Sequence, residues 1–217
     1  FFPFLGYFWH LYSKYIFKMV TIKKKPKLVW FNGNDLLGDS CIMQEILSQI
    51  EYYSGTERKK MLKVSPKIGG SMLYGLTWRA YLKKDKVTGE IITRKKDPVS
   101  GLYFTKVMET YPQLKEIFAE FADQYFPEFH YTQVQLNKNF PCPPHKDAAN
   151  QGDSILISFG DYTGGKTAVD LGNEVYIADS HYKPFKFNGS KFKHWVEYTE
   201  GERYSLVFFS RFKKLII

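Results

Sequence analysis

His145 and Asp147 stand two residues apart in a stretch that reads as extended chain. In extended backbone, residues i and i+2 point to the same side. One imidazole nitrogen and one carboxylate oxygen can therefore reach one metal ion. His194 follows Asp147 by 47 residues, on a separate strand-like segment, and supplies a third donor. Two histidines and one carboxylate on one face suit iron(II), and they leave its other positions open for a co-substrate and dioxygen.

Arg203 opens the apolar segment RYSLVFFS, nine residues beyond His194 and past a turn at Glu200–Gly201–Glu202. Alternation along that segment puts Arg203 and Ser205 on one side. A guanidinium can grip the far carboxylate of 2-oxoglutarate with two parallel bonds, and a hydroxyl can add another. A rival pairing exists: His181 as the second imidazole and Lys191 in the cationic role. Lys191 lies in the polar turn Asn188–Gly189–Ser190–Lys191 and lacks the planar fork, so His194 with Arg203 is preferred. His10 and His130 read as structural or exposed.

These groups need a scaffold. Ser40–Tyr53 reads as a helix, with Ile42, Ile46 and Ile50 on one stripe beside Met43 and Leu47. Residues 60–105 are mixed, with glycines punctuating short extended pieces. Two basic clusters, Lys83–Lys86 and Arg94–Lys96, flank a turn at Val87–Thr88–Gly89. They suit either a phosphate backbone or a solvated hairpin tip. Thr110–Phe126 reads as the strongest helix, with Pro112 in its first turn, a core stripe from Leu114 to Tyr125, and Pro127 as its stop. From Tyr131 the period changes to two. Strands are expected around Val134 and Leu136, over Ile155–Phe159, and at Thr167–Asp170, Glu174–Ala178, Lys183–Phe187, His194–Tyr198 and Tyr204–Ser210, with a turn over residues 160–165. Helices first and many short strands second predict an α+β domain in which N-terminal helices buttress a jelly roll.

The chain of 217 residues and 25.5 kDa suits one compact domain, and 44% hydrophobic residues exclude a disordered chain. We read an aromatic extension over residues 1–18 and a single domain over 19–217, mixed over 19–130 and with a jelly-roll core over 131–212. The extension has no run long enough for a transmembrane helix and lacks the pattern of a signal peptide, so no stable membrane association is expected. Cys41 and Cys142 form no disulfide framework and no zinc motif, which points to an intracellular, reducing compartment. The formal net charge of +9 favours an anionic partner, nucleic acid or an acidic small molecule.

The stretch LNKNFPCPPHKDAANQGDSILISFGDYTGG, then FNGSKFKHW and ERYSLVFFS, resembles the TET/JBP branch of 2-oxoglutarate oxygenases, in particular its compact viral, phage and algal members. The resemblance covers roughly residues 130–210. It implies a double-stranded β-helix with His145, Asp147 and His194 on iron(II). It also implies 2-oxoglutarate on Arg203 and Ser205, dioxygen as oxidant, and ascorbate as a further candidate reductant. It implies a DNA partner, with the methyl group of 5-methylcytosine or thymine as the site of hydroxylation. Asn150 is similar to the asparagine that contacts the flipped base in TET enzymes, and a turn role beside Gln151–Gly152 is equally open. Phe187, Trp195, Tyr198 and Tyr204 are candidates to stack on a base or to fill the core. The chain departs from the large TET enzymes in having only two cysteines, and from JBP-type proteins in having no room for a separate DNA-binding domain. Asp147 argues against a halogenase, which leaves that ligand position to halide. Two rival readings stand beside this one: a 2-oxoglutarate-dependent hydroxylase of a protein side chain or small molecule, and an inactive jelly roll that binds nucleic acid.

Overall fold

The computed structural model describes residues 39–54, 69–78 and 83–212. They fall within one compact unit, Asn32–Ile217. The aromatic segment 1–18, with His10, lies outside the described residues.

Helix α1 (Asp39–Ser48) buries Met43, Ile46 and Leu47. It is shorter than the stripe over Ser40–Tyr53 predicts. Gln49 N–H and Ile50 N–H reach back only three residues, to the carbonyls of Ile46 and Leu47, and this tightened turn closes the helix. Tyr53 and Ser54 are claimed by a sheet instead: the N–H of Ser71 donates to the Tyr53 carbonyl and to Ser54 Oγ.

Strand β1 (Gly70–Thr77) was hidden by its glycines, which read as breaks between short pieces. It is eight residues long and largely buried. Gly75 sits at φ 122, and a Cβ there would meet the Thr132 carbonyl at 2.8 Å, so the glycine permits close strand approach. Next come β2 (Lys83–Lys84) and β3 (Ile91–Ile92), which form a hairpin around the expected turn, and then β4 (Tyr103–Phe104).

The helix expected over Thr110–Phe126 starts only at Leu114, as α3 (Leu114–Tyr125), and a short helix that was not expected, α2 (Lys106–Thr110), precedes it. Thr105 caps α2, its hydroxyl accepting from the Met108 N–H. Tyr111 precedes Pro112, and the residue before a proline avoids helical backbone. Tyr111 accordingly sits at φ −126, ψ 63 and breaks the run. The α3 stripe is buried from Leu114 to Ala122 as expected, whereas Tyr125 at its end is exposed, and Phe118 and Phe121 pack on Phe208 of the sheet. The helix buttresses the strands.

The remaining strands are β5 (Gln133–Lys138), β6 (Ser154–Phe159), β7 (Tyr162–Gly164), β8 (Thr167–Asp170), β9 (Val175–Ala178), β10 (Phe185–Phe187), β11 (Lys193–Val196), β12 (Thr199–Gly201) and β13 (Tyr204–Phe209). Strand β10 starts only after Pro184, which has no N–H to donate to a ladder. The turn expected over 160–165 contains β7, which pairs with β12 as a separate ribbon.

A larger sheet has the order β10-β6-β13-β5-β1-β4, and a smaller one has the order β11-β8-β9. An isolated bridge joins His145 to His194 and extends the smaller sheet past β11. From β5 onward the chain visits the larger sheet, the smaller at His145, the larger at β6, the smaller at β8 and β9, the larger at β10, the smaller at β11 and the larger at β13. Every named pairing is antiparallel. This winding is a double-stranded β-helix, or jelly roll, in an α+β domain. Beyond the expected core, β1 and β4 extend the larger sheet. Among the described residues, no helix is long and apolar enough to cross a membrane.

Candidate active site

Backbone pairing places the site. His145 N–H donates to the His194 carbonyl at 3.0 Å, His194 N–H returns a bond to the His145 carbonyl at 2.9 Å, and Asp147 N–H donates to the Gly189 carbonyl at 2.9 Å. In a mutually bonded antiparallel pair, both side chains project from one face of the sheet. The two imidazole centroids are 4.2 Å apart. Asp147, two residues on, puts Oδ1 at 3.5 Å from His145 Nε2 and Oδ2 at 3.6 Å from His194 Nε2. One donor atom from each residue lies within 4.8 Å of the others.

Both rings are held in the same tautomer. Nδ1 of His145 lies 2.9 Å from the Pro143 carbonyl, and Nδ1 of His194 lies 3.2 Å from the Phe192 carbonyl. A carbonyl accepts only, so each Nδ1 carries the proton and each Nε2 faces Asp147 as a potential donor atom. Backbone acceptors behind ligating imidazoles are the usual support of a metal centre. The hydrogen bond to Asp147, with further help from Cys142, pushes the His145 pKa up to about 10. Burial opposes ionisation of Asp147, yet the hydrogen bond from His145 and the charges of His145, His194 and Arg211 hold its carboxyl below the usual range. Burial pushes His194 down. Without metal, the cluster holds a proton on His145, paired with an ionised Asp147.

Gly189 was read as part of a polar turn, and the structure gives it a further role. A Cβ there would meet His194 Cε1 at 3.2 Å and Asp147 Oδ2 at 3.3 Å, so only glycine leaves the cluster undisturbed. The sequence carried no signal for this contact.

The same cavity receives Arg203, Ser205 and Asn150. Arg203 is 4% exposed, and its Nε and Nη2 have no hydrogen-bond partner. Its guanidinium lies over the Tyr162 ring at 5.5 Å. Burial pushes its pKa down, but arginine stays charged. A buried cation with unpaired donors is costly unless an anion meets it. Ser205 Oγ accepts from Asn137 Nδ2 at 3.2 Å. Thr167, which was read only as the start of a strand, brings a second buried hydroxyl to the cavity, and its Oγ1 has no partner. Its alternation in β8 was legible, but not what it faces. Gly165 is tied to the same group, since a Cβ there would come within 3.0 Å of Arg203 Cδ and Nε. Asn139 holds the Arg203 backbone at both ends: its Oδ1 accepts from the Arg203 N–H at 2.7 Å and its N–H donates to the Arg203 carbonyl at 2.8 Å.

Asn150 takes the turn role and also faces the cavity. Its N–H closes a turn on the Asp147 carbonyl, its Nδ2 donates to Asp147 Oδ2 at 3.3 Å, and its buried Oδ1 has no partner. His181 lies elsewhere, with Nε2 2.9 Å from the Gly160 carbonyl and the ring between Tyr162 and Tyr182. Lys191 is exposed with its ammonium over Phe192. The rival pairing therefore does not assemble. Among the four aromatic candidates, Tyr204 is core at 1% exposure, Phe187 packs edge-on against His194 in the cavity wall, Trp195 is half-buried, and Tyr198 is open to solvent. Cys142 is a free thiol beside His145, and His130 is exposed.

No protein-family model and no curated protein matches the chain. Among solved structures, it is similar to a 2OG-Fe(II) oxygenase family oxidoreductase from Burkholderia pseudomallei, at 18% identity and TM-score 0.40, over 64% of this chain and 76% of that one. It is similar to NgTET1 in complex with 5mC DNA, at 17% identity and TM-score 0.41, over 71% of this chain and 64% of that one. It is similar also to a prolyl-4-hydroxylase from Pseudomonas putida, at 14% identity and TM-score 0.33, over 72% and 83% of the two chains. The chemistry of the site follows from its own residues.

Proposed function

We propose that this chain is an iron(II)- and 2-oxoglutarate-dependent dioxygenase that hydroxylates the methyl group of a pyrimidine, 5-methylcytosine or thymine, in DNA. The observation that carries the reading is the buried guanidinium of Arg203, its Nε and Nη2 without a hydrogen-bond partner, lining the same cavity as the His145–Asp147–His194 donor set. That pairing fits a small molecule with a carboxylate at one end and a metal-binding group at the other. His145, Asp147 and His194 would hold the metal. Arg203, with Ser205 and Thr167, would hold the far carboxylate. When bound, iron and 2-oxoglutarate supply, with dioxygen, the oxidising chemistry.

The chain's own residues supply placement. Leu156, Phe187 and Val207 give the cavity apolar walls that keep water from the reacting groups. Asn150 keeps Asp147 oriented through Nδ2 and offers Oδ1 as an acceptor for a base N–H. A base in a duplex reaches such a cavity only by leaving the stack. The resemblance of the segments around His145, His194 and Arg203 to TET/JBP enzymes and the net charge of +9 support DNA as the partner.

The test is mass spectrometry of nucleosides. DNA containing 5-methylcytosine and thymine is incubated with the protein, iron(II), 2-oxoglutarate and air, and then digested. One added oxygen on either base, dependent on 2-oxoglutarate, is expected. Succinate without altered nucleosides would transfer the reading to a protein side chain or small molecule. Absence of both would overturn it.

A further inference from the structure

One end of the larger sheet forms a row that starts at the cavity. Strands β13 and β1 both pair with β5, and Phe209 and Gly75 both face Gln133. Thr77 therefore lies level with Arg211 beyond β13, and Trp78 lies level with Phe212 one residue further, on the alternate face of the sheet end. Tyr103 of β4 pairs with Thr77, and Lys96 pairs in turn with Tyr103. Arg211 lines the cavity. Neighbouring strands lie about 4.8 Å apart, so the four steps from β13 to Lys96 span roughly 19 Å. At about 3.4 Å per base pair, that is close to six base pairs of duplex.

The side chains on this row suit a polyanion with aromatic faces. Trp78 is 71% exposed yet braced by Phe212 at 5.1 Å, which is itself buried against Leu76 and Leu102. Lys95 and Lys96 are exposed. Their backbone is fixed: Lys95 N–H donates to Glu109 Oε1, and its carbonyl accepts from Phe104 N–H. The β2–β3 hairpin leaves the sheet after Trp78 and returns before Lys95, carrying exposed Lys84 and Lys86. Residues 83–97 contain six basic and three acidic side chains. Two of the acids are engaged in turns, with Asp85 accepting from Val87 and Thr88 N–H and Asp97 accepting from Ser100.

We propose that this end of the sheet, from Arg211 past Trp78 to Lys95 and Lys96, is the track on which a DNA duplex lies while one base enters the cavity. The lysines hold phosphates and set the register, and Trp78 stacks on an unpaired or opened base. The proposal rests on the nucleic-acid reading above and assigns it a surface.

The test is fluorescence anisotropy with a labelled 20-base-pair duplex at several salt concentrations, using the full chain. The double variant Lys95→Gln/Lys96→Gln is expected to weaken binding about tenfold and to lower the slope of log K against log salt by about 1.8, the loss of two phosphate contacts. Trp78→Ala is expected to weaken binding about fivefold or more with the slope unchanged, because stacking releases no counterions. Lys183→Gln/Lys186→Gln, at and beside the opposite edge of the sheet, serves as the control. Equal loss from the control pair would show diffuse attraction and overturn the track. So would a poly-glutamate peptide binding as tightly as the duplex, or Trp78→Ala leaving affinity unchanged. Succinate formation without DNA is the separate readout. If it persists while the track variants bind DNA normally, the surface assignment falls and the enzyme reading stands. If it fails while binding follows the track, the enzyme reading falls instead.

Discussion

His145 and His194 bond to each other through both of their backbones, at 3.0 and 2.9 Å, although they are far apart in the chain. This pair is the hinge of the site. It sets two imidazoles side by side on one face, and the i+2 spacing brings Asp147 to the same face. Because the scaffold is backbone, the ligand side chains are removable without loss of the fold. His145→Ala and Asp147→Ala are expected to abolish turnover and manganese(II) binding while the metal-free protein, though less stable for want of the His145–Asp147 pairing, still unfolds in one cooperative transition. Metal binding retained in either variant, followed by calorimetry, would sink the ligand assignment.

Arg203 makes a contrasting prediction. A buried guanidinium with unpaired nitrogens is a burden to the ligand-free fold. Arg203→Met should leave stability unchanged or raise it by about 1 kcal/mol, while 2-oxoglutarate binding is lost. Arg203→Lys should raise the 2-oxoglutarate requirement, because an ammonium lacks the fork. Denaturant unfolding beside ligand titration checks both. A large loss of stability in the methionine variant would mean that the contact of the guanidinium with the Tyr162 ring outweighs the cost of burying it.

Asn139 is expected to position Arg203. It sits at φ 44, a left-handed conformation that asparagine tolerates and alanine does not. Asn139→Gly keeps that conformation but loses the acceptor for the Arg203 N–H. It should raise the dissociation constant for 2-oxoglutarate roughly fivefold, the equivalent of about one hydrogen bond. Manganese(II) affinity should be unchanged. Equal weakening of metal and 2-oxoglutarate would show a general distortion of the site.

Gly189 leaves little room for a side chain. Gly189→Val drives a side chain toward His194 Cε1 and Asp147 Oδ2. Metal affinity is expected to fall about tenfold or more, as it does when groups that orient ligands are disturbed. A valine variant with wild-type metal affinity in an equilibrium titration would disprove the crowding.

The acid–base state of the cluster predicts a pH dependence. His145 is raised from 6.5 to about 10 in the metal-free fold. Its pairing with Asp147 therefore stabilises that fold fully below pH 6.5, and the contribution is lost as pH rises through 10. Metal must displace this proton, so affinity should rise with pH across the same interval, by at most about tenfold per unit. Calorimetry in two buffers of different ionisation enthalpy measures the proton released. Binding that releases no proton would contradict the role of His145.

The readable parts of this protein were those written in local spacing. His145 and Asp147 two residues apart, the alternation of Arg203 and Ser205, and the α3 stripe from Leu114 to Ala122 are short-range patterns whose geometry follows from the period of the backbone itself. Where a proline or a glycine altered the backbone, the sequence misled: Pro112, with Tyr111 before it, delays the expected helix to Leu114, and Gly70 and Gly75 concealed β1. Long-range register was decided by the tertiary structure. It set His194 against His145 and His181 against the Gly160 carbonyl, left Nε and Nη2 of Arg203 unpartnered beside the Tyr162 ring, and gave Thr167, Asn139, Gly165 and Gly189 contacts at the site that local spacing does not state. The reason is physical. A strand's period states which side chains share a face, but which strand that face meets depends on pairing between distant segments, and that is settled only when the two sheets close around one cavity.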